Sequence, residues 1–134
     1  MQKPYAWTVR IYYEDTDAGG IVYYANYLKF FERARTEWLR AAGIDQFSMV
    51  ASHARMFVVK NTAVEYHSPA RLDDELRLTV AVEKLGRASV QFMQEAWCGA
   101  RLLASGTIKV GCVDVNNLRP SAIPEEVLLR IQAC

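Results

Sequence analysis

The 134 residues, 51% apolar and 23% charged, suffice for one domain that buries about two thirds of the surface of its unfolded chain. A net charge of +1 argues against a dedicated nucleic-acid binder, which needs a basic excess to displace counterions from phosphates. No run approaches the roughly 20 apolar residues that span a bilayer, so no integral membrane segment is expected.

The opening MQKPYAWTVRIYY has neither the continuous apolar core nor the small-residue cleavage site of a secretion signal, and the expected location is cytoplasmic. Cys98, Cys112 and Cys134 are odd in number and fit no metal or redox spacing, which suits free thiols in a reducing compartment.

In chain order, residues 6–14 alternate, with Trp7, Val9, Ile11 and Tyr13 on one side, the period of a strand with one buried face. An acidic, glycine-containing turn follows. From Tyr24 to Ala42 the period becomes helical: Tyr27, Phe31, Ala34, Trp38 and Ala41 form the apolar side, and Lys29, Glu32, Arg33, Glu37 and Arg40 the wet side. This helix is about 27 Å long and ends at Gly43. A short helix capped by Asp45 is expected over 45–54. Strands then follow at 56–67, 75–85, 88–98 and 100–115, the last bulged or bent at Gly106 and Gly111. A final short helix begins at Pro124, with Glu125 and Glu126 in its first turn.

One long helix and runs of hairpin-connected strands predict an α+β domain whose mostly antiparallel sheet wraps on that helix, with no domain boundary across 1–134. One helix covers only one face of such a sheet, so a homodimer that pairs edges or packs sheets is expected.

Common catalytic patterns are missing: no G-x-S-x-G elbow, no phosphate loop and no G-x-G-x-x-G. His53 and His67 have no carboxylate or cysteine at metal-ligand spacing and are read as surface or packing residues. Asp15, Asp17 and Gly20 fit the start of a calcium loop, but Asn26 stands where its Glu belongs and no helix precedes it. No metal is expected.

Asp17 remains, with two readings open. In one it bends the chain by bonding its own backbone while Gly19 and Gly20 supply positive φ. In the other, the glycines let backbone approach a ligand, and the amides of residues 20–24 point outward at the positive end of the helix dipole. Those amides would hold a developing oxyanion, beside a carboxylate able to attack a thioester carbonyl or draw a proton from water. Tyr12, Tyr13, Tyr23, Tyr24 and Tyr27 serve either to pack the core or to line an acyl pocket.

The segment VRIYYEDTDAGGIVYYANYLKFFERARTEWLRAAGI closely resembles the signature of hotdog-fold acyl-CoA thioesterases of the 4-hydroxybenzoyl-CoA thioesterase type. Within them it looks most like the bacterial tol-pal-associated thioesterases. FVVKNTAVEYHSPARLDDELRLTV and RPSAIPEEV extend the likeness over nearly the whole chain.

The resemblance implies the hotdog fold, a long central helix wrapped by a curved five-stranded sheet, in homodimers that often pair into homotetramers. It implies hydrolysis of acyl-CoA thioesters without a cofactor, with Asp17 as the catalytic carboxylate, base or nucleophile. The Tyr24 amide would polarise the carbonyl, and Gly20, Val22 and Tyr27 would complete the acyl site, which is shared across the dimer interface. Such enzymes often carry His where Tyr24 stands, but the role assigned there belongs to the backbone N–H. Of the available cations Lys60, Arg71, Arg87 and Arg119, the resemblance favours Arg87, with Ser89, for the CoA nucleotide. The alternative is a non-catalytic scaffold that binds acyl-CoA or acyl carrier protein at the cell envelope.

Overall fold

A computed structural model describes residues 5–134. Five strands, β1 (Tyr5–Arg10), β2 (Arg55–Tyr66), β3 (Glu75–Leu85), β4 (Ser89–Cys98) and β5 (Arg101–Asp114), form one antiparallel sheet in the order β1-β3-β4-β5-β2. Three helices, α1 (Asn26–Ala41), α2 (Gln46–His53) and α3 (Glu125–Ala133), accompany it. This is the α+β architecture the element order predicts.

Helix α1 lies on the sheet through Tyr27, Phe30, Phe31, Ala34, Trp38 and Leu39, all buried. Ala41, assigned by its spacing to the same face, is exposed because the packed face ends with Leu39 as the chain turns off at Ala42. Leu76, Leu78 and Val80 of β3, and Val90 and Phe92 of β4, meet the helix with alternate residues, as a period of two requires. Each such aliphatic or Phe side chain contributes about 1.5–3 kcal/mol by leaving water. One polar connection crosses this interface: Gln94 of β4, with no exposure, donates from Nε2 to the Phe31 carbonyl at 3.1 Å and accepts from Arg35 Nη1 at 3.0 Å.

The C-terminal end of α1 is closed. Gly43 has φ +81°, its N–H donates to the Arg40 carbonyl, and Ile44 N–H donates to that of Leu39. Arg130 of α3 lies so close over Gly43 that a Cβ there would sit 2.5 Å from its Nη1. Asp45 caps α2 as predicted, accepting from Phe47 N–H at 3.0 Å and Ser48 Oγ at 2.9 Å. Pro124 precedes α3 as its N-cap rather than its first residue.

Two strand expectations change. The first strand ends at Arg10, where a 3-10 turn over Tyr13–Asp15 takes over, so Ile11 is buried but Tyr13 is 80% exposed. Strand β5 does not bulge at its glycines. Its register against β4 shifts at Leu103, the residue left over where Ala96 faces Ala104 and Trp97 faces Leu102. Against β2 the extra residue is Lys60, between Val59 and Asn61. Gly111 serves that bulge, because its missing Cβ would come within 2.6 Å of Lys60 Cδ. Across the bulge the inward positions change from odd to even, from Phe57 to Val64.

Candidate active site

The site grows from the connection between β1 and α1. Asp15 fixes the 3-10 turn by accepting Tyr12 N–H at 2.9 Å through its carboxylate, and its carbonyl accepts both Tyr23 N–H and the side-chain amide of buried Asn26. Asp15 is therefore a structural residue of this turn. The loop doubles back, with Asp17 N–H on the Ile21 carbonyl at 2.9 Å and Gly20 N–H on that of Asp17 at 3.0 Å. Gly20 has φ +80°, a conformation glycine adopts without strain.

Asp17 itself is exposed, and its Oδ1 accepts Gly19 N–H at 2.9 Å. A Cβ on Gly19 would stand only 3.2 Å from that oxygen, so glycine lets the carboxylate close over the turn. The turn geometry is thus present. It leaves Oδ2 with no protein donor among the described residues, and the two readings of Asp17 are compatible.

The amides are fewer than the sequence suggests. Of residues 20–24, those of Gly20, Val22 and Tyr23 are consumed by the Asp17, Ala70 and Asp15 carbonyls, because the loop pairs with itself and with the segment before β3. Tyr24 N–H and Ala25 N–H have no acceptor among the described residues, and α1 has no side-chain cap. The following amides of Asn26, Tyr27 and Leu28 close tight turns onto the carbonyls of residues 23–25. Two free donors therefore mark the positive end of α1.

Beside them lies a cavity of about 330 Å³ that gathers Ile21, Val22, Tyr24 and Tyr27 with Tyr66, His67, Ser68 and Pro69. Tyr66, at the end of β2, donates its hydroxyl to the Tyr24 carbonyl at 3.0 Å, and its ring stands 5.5 Å from that of Tyr27. This bond leaves the Tyr24 carbonyl occupied while its N–H stays free. Burial, then the nearby Tyr24, pushes the Tyr66 phenol above its ordinary value. Burial does the same to Tyr27, countered by a bond to the Ala70 backbone. Both phenols are held neutral and serve as donors or walls, not bases. His67 bonds Ser105 Oγ at 2.9 Å through Nε2.

The structure thus brings Val22, Tyr24 and Tyr27 together and leaves Asp17 and Gly20 on the adjoining loop, outside the cavity wall. Tyr66, His67 and Ser68 were missed; the signal was the polar YHSP ending of a strand, but only the sheet order places that end at the helix start. Arg87 and Ser89 are not brought together with the others. They sit beyond the end of β3, about 33 Å along that strand from the end nearest Asp17. Of the four candidate cations, Arg71 is the one that pairs with the loop, through the bridge between Ile21 and Arg71. Among the described residues no group of three or more His, Cys, Asp or Glu is placed to hold a metal ion.

Residues 11–131 match the model of the thioesterase-like superfamily. The chain is 44% identical over 127 residues to the acyl-CoA thioesterase YbgC of Haemophilus influenzae, covering 95% of this chain and 93% of that one. It is 42% identical over 125 residues to the acyl-CoA thioester hydrolase YbgC of Escherichia coli O157:H7, covering 92% of each. A solved structure of a hypothetical protein from Aquifex aeolicus superposes with TM-score 0.87 at 30% identity, covering 95% of this chain and 98% of that one. With its motif, its sheet order and these matches in agreement, the chain belongs to the thioesterase-like superfamily of hotdog-fold proteins.

Proposed function

We propose that the chain hydrolyses acyl-CoA thioesters to a free carboxylic acid and CoA, with Asp17 as the catalytic carboxylate and the Tyr24 and Ala25 amides as the oxyanion site. The observation that supports this reading is that, among the described residues, one carboxylate oxygen, Asp17 Oδ2, on the loop leading into α1, and two N–H groups at the start of that helix are all without partners. Donors fixed in advance at the positive end of a helix stabilise the charge that develops on the thioester oxygen. Asp17 then either attacks the carbonyl carbon, expelling CoA thiolate and leaving a mixed anhydride for water to cleave, or removes a proton from the attacking water. The apolar cavity of Val22, Tyr27 and Tyr66 takes the start of the acyl group.

The proposal includes a homodimer. Among the described residues strand β2 pairs only with β5, and its 12 residues, with Val59 53% exposed, leave an edge about 40 Å long. Antiparallel pairing of two such edges reverses the second subunit end for end. That reversal carries the partner subunit's Arg87 and Ser89 toward the Asp17 end, where the CoA phosphates need a cation. Dimers of this kind can pair further into tetramers, and acyl carrier protein can present the same thioester in place of CoA. Free thiols at Cys98, Cys112 and Cys134 suit a cytoplasmic setting.

The exposed position of Asp17, outside the cavity wall, favours one second reading, a scaffold that binds acyl-CoA or acyl carrier protein without turnover. Thiol release from a panel of acyl-CoAs by wild type, Asp17→Asn and Asp17→Ala separates the two. Hydrolysis that both variants lose supports the enzyme; tight binding with no turnover by wild type on any acyl group assigns the scaffold. Single turnover in labelled water then probes the chemistry, because label in the Asp17 carboxylate requires an anhydride that water opens at the Asp17 carbonyl carbon.

A further inference from the structure

A second cavity, of about 180 Å³, lies along the middle of α1 between the helix and the sheet. Its walls are chiefly apolar, from Leu39, Phe57, Val59, Val90, Phe92 and Val110, and its charged lining residues are Arg35 and Glu32. Arg35 is only 9% exposed, and no carboxylate lies within 4 Å of it among the described residues. Its single bond uses Nη1, which donates to Gln94. Nε and Nη2 have no acceptor among the described residues, and neither is fully buried, because no fully buried polar side-chain atom in the described residues lacks a partner. Glu32, on the same helix and also on the cavity wall, accepts the Thr36 hydroxyl and acts on Arg35 through its charge without a direct bond.

A buried cation with no directly paired carboxylate is costly unless a charged, hydrogen-bonding group completes it. The free Nε and Nη2 lie on one edge of the guanidinium, the fork that fits both oxygens of a carboxylate side by side. Gln94 is itself anchored to the Phe31 and Thr79 carbonyls, so the fork is held in one orientation. At about 30 Å³ per water-sized group, the cavity has room for a carboxylate and a few methylenes.

The geometry points to a subsite in which Arg35 binds a carboxylate carried at the far end of the substrate's acyl group. This rests on the hydrolytic reading and narrows its substrate class to thioesters of dicarboxylic acids. The 11 residue steps from Tyr24, just before α1, to Arg35 span about 16 Å at helical rise, and a helical side chain leans back toward the helix start, so within one subunit the acyl group must be of medium length.

Two measurements test this. The first is kcat/KM for a series of ω-carboxyacyl-CoAs from succinyl to dodecanedioyl, each against the plain acyl-CoA of equal carbon count. Wild type should favour the carboxylate-ended member by about tenfold to a hundredfold at its best length, the range of a charge-assisted pair. Arg35→Met should abolish that preference, and Arg35→Lys should keep only part of it, because it retains the charge without the fork. No preference at any length, or an equal loss for both members of each pair, overturns the inference. The second needs no turnover: the Arg35 Nε–H resonance should shift saturably with glutarate or suberate and stay still with the corresponding diamides. An unmoved resonance overturns the inference even where plain acyl-CoAs are hydrolysed. A moving resonance without hydrolysis of any thioester keeps the carboxylate site and removes the thioesterase reading instead.

Discussion

The two ends of α1 are finished in opposite ways. At the C-terminal end, Gly43 turns the chain left-handed, the Gly43 and Ile44 amides return to helix carbonyls, and Arg130 donates to the Ala42 carbonyl. At the N-terminal end there is no capping side chain, and the amides of Tyr24 and Ala25 stay without acceptors among the described residues. Asn26 could have been a cap one residue earlier, but its side chain reaches back to the Asp15 carbonyl and fixes the loop instead. A chain that closes one terminus this thoroughly and leaves the other open has put stability at the first and reactivity at the second. The sealed end should respond to mutation in its melting temperature, the open end in its rate.

The largest effect expected at the open end comes from Asp17→Asn. Asparagine keeps an Oδ1 to accept Gly19 N–H, so the turn should survive with an unchanged melting temperature, while kcat falls by about 100-fold or more. A rate within a factor of three of wild type would erase the contrast between the ends.

At the sealed end, Gly43→Ala puts a Cβ at positive φ and against Arg130. It should cost about 1–2 kcal/mol in urea unfolding and leave kcat unchanged. A loss of activity with unchanged stability would reverse the assignment.

Tyr66→Phe removes the hydroxyl that occupies the Tyr24 carbonyl. The net loss of one hydrogen bond, about 1 kcal/mol, should appear as a roughly fivefold fall in kcat/KM, with a smaller change in melting temperature.

The smallest effect is alkaline. The Tyr27 and Tyr66 phenols are raised above the ordinary value of 10.0, chiefly by burial, so the folded state holds their protons more tightly than the unfolded chain. Their contribution is full below pH 10 and is lost as pH rises through the raised folded values. The melting temperature should therefore fall above pH 10, and less steeply in Tyr27→Phe.

Much of this was legible in the sequence because periodicity reports local geometry. The change from period two to 3.6 near Tyr24 located β1 and α1, and Gly43 and Asp45 marked the helix ends by the conformations they permit. The Asp17 and Gly20 turn was readable for the same reason. What stayed hidden depends on distant partners. Arg35 looks like any helix arginine until Gln94, 59 positions away, gives it an orientation inside the fold. Tyr66 and His67 join the helix start only because β2 takes the sheet edge. Arg87 and Ser89 look adjacent to the chemistry by family likeness, yet one subunit's topology sends them to the other end of the sheet. Ala41 and Tyr13 were assigned inward because a repeating pattern carries no mark of where its element stops.

The extra residue at Lys60 governs more than a kink. Without it, every position from Asn61 to Tyr66 would exchange sides, and the tyrosine that braces the helix entrance would face water instead. Single-residue insertions or deletions in the first half of that edge should therefore be read as inversions of its far half, whereas changes by two would keep its handed pattern intact. The length of this border is counted in pairs, and the loop chemistry 40 residues upstream depends on the count being right.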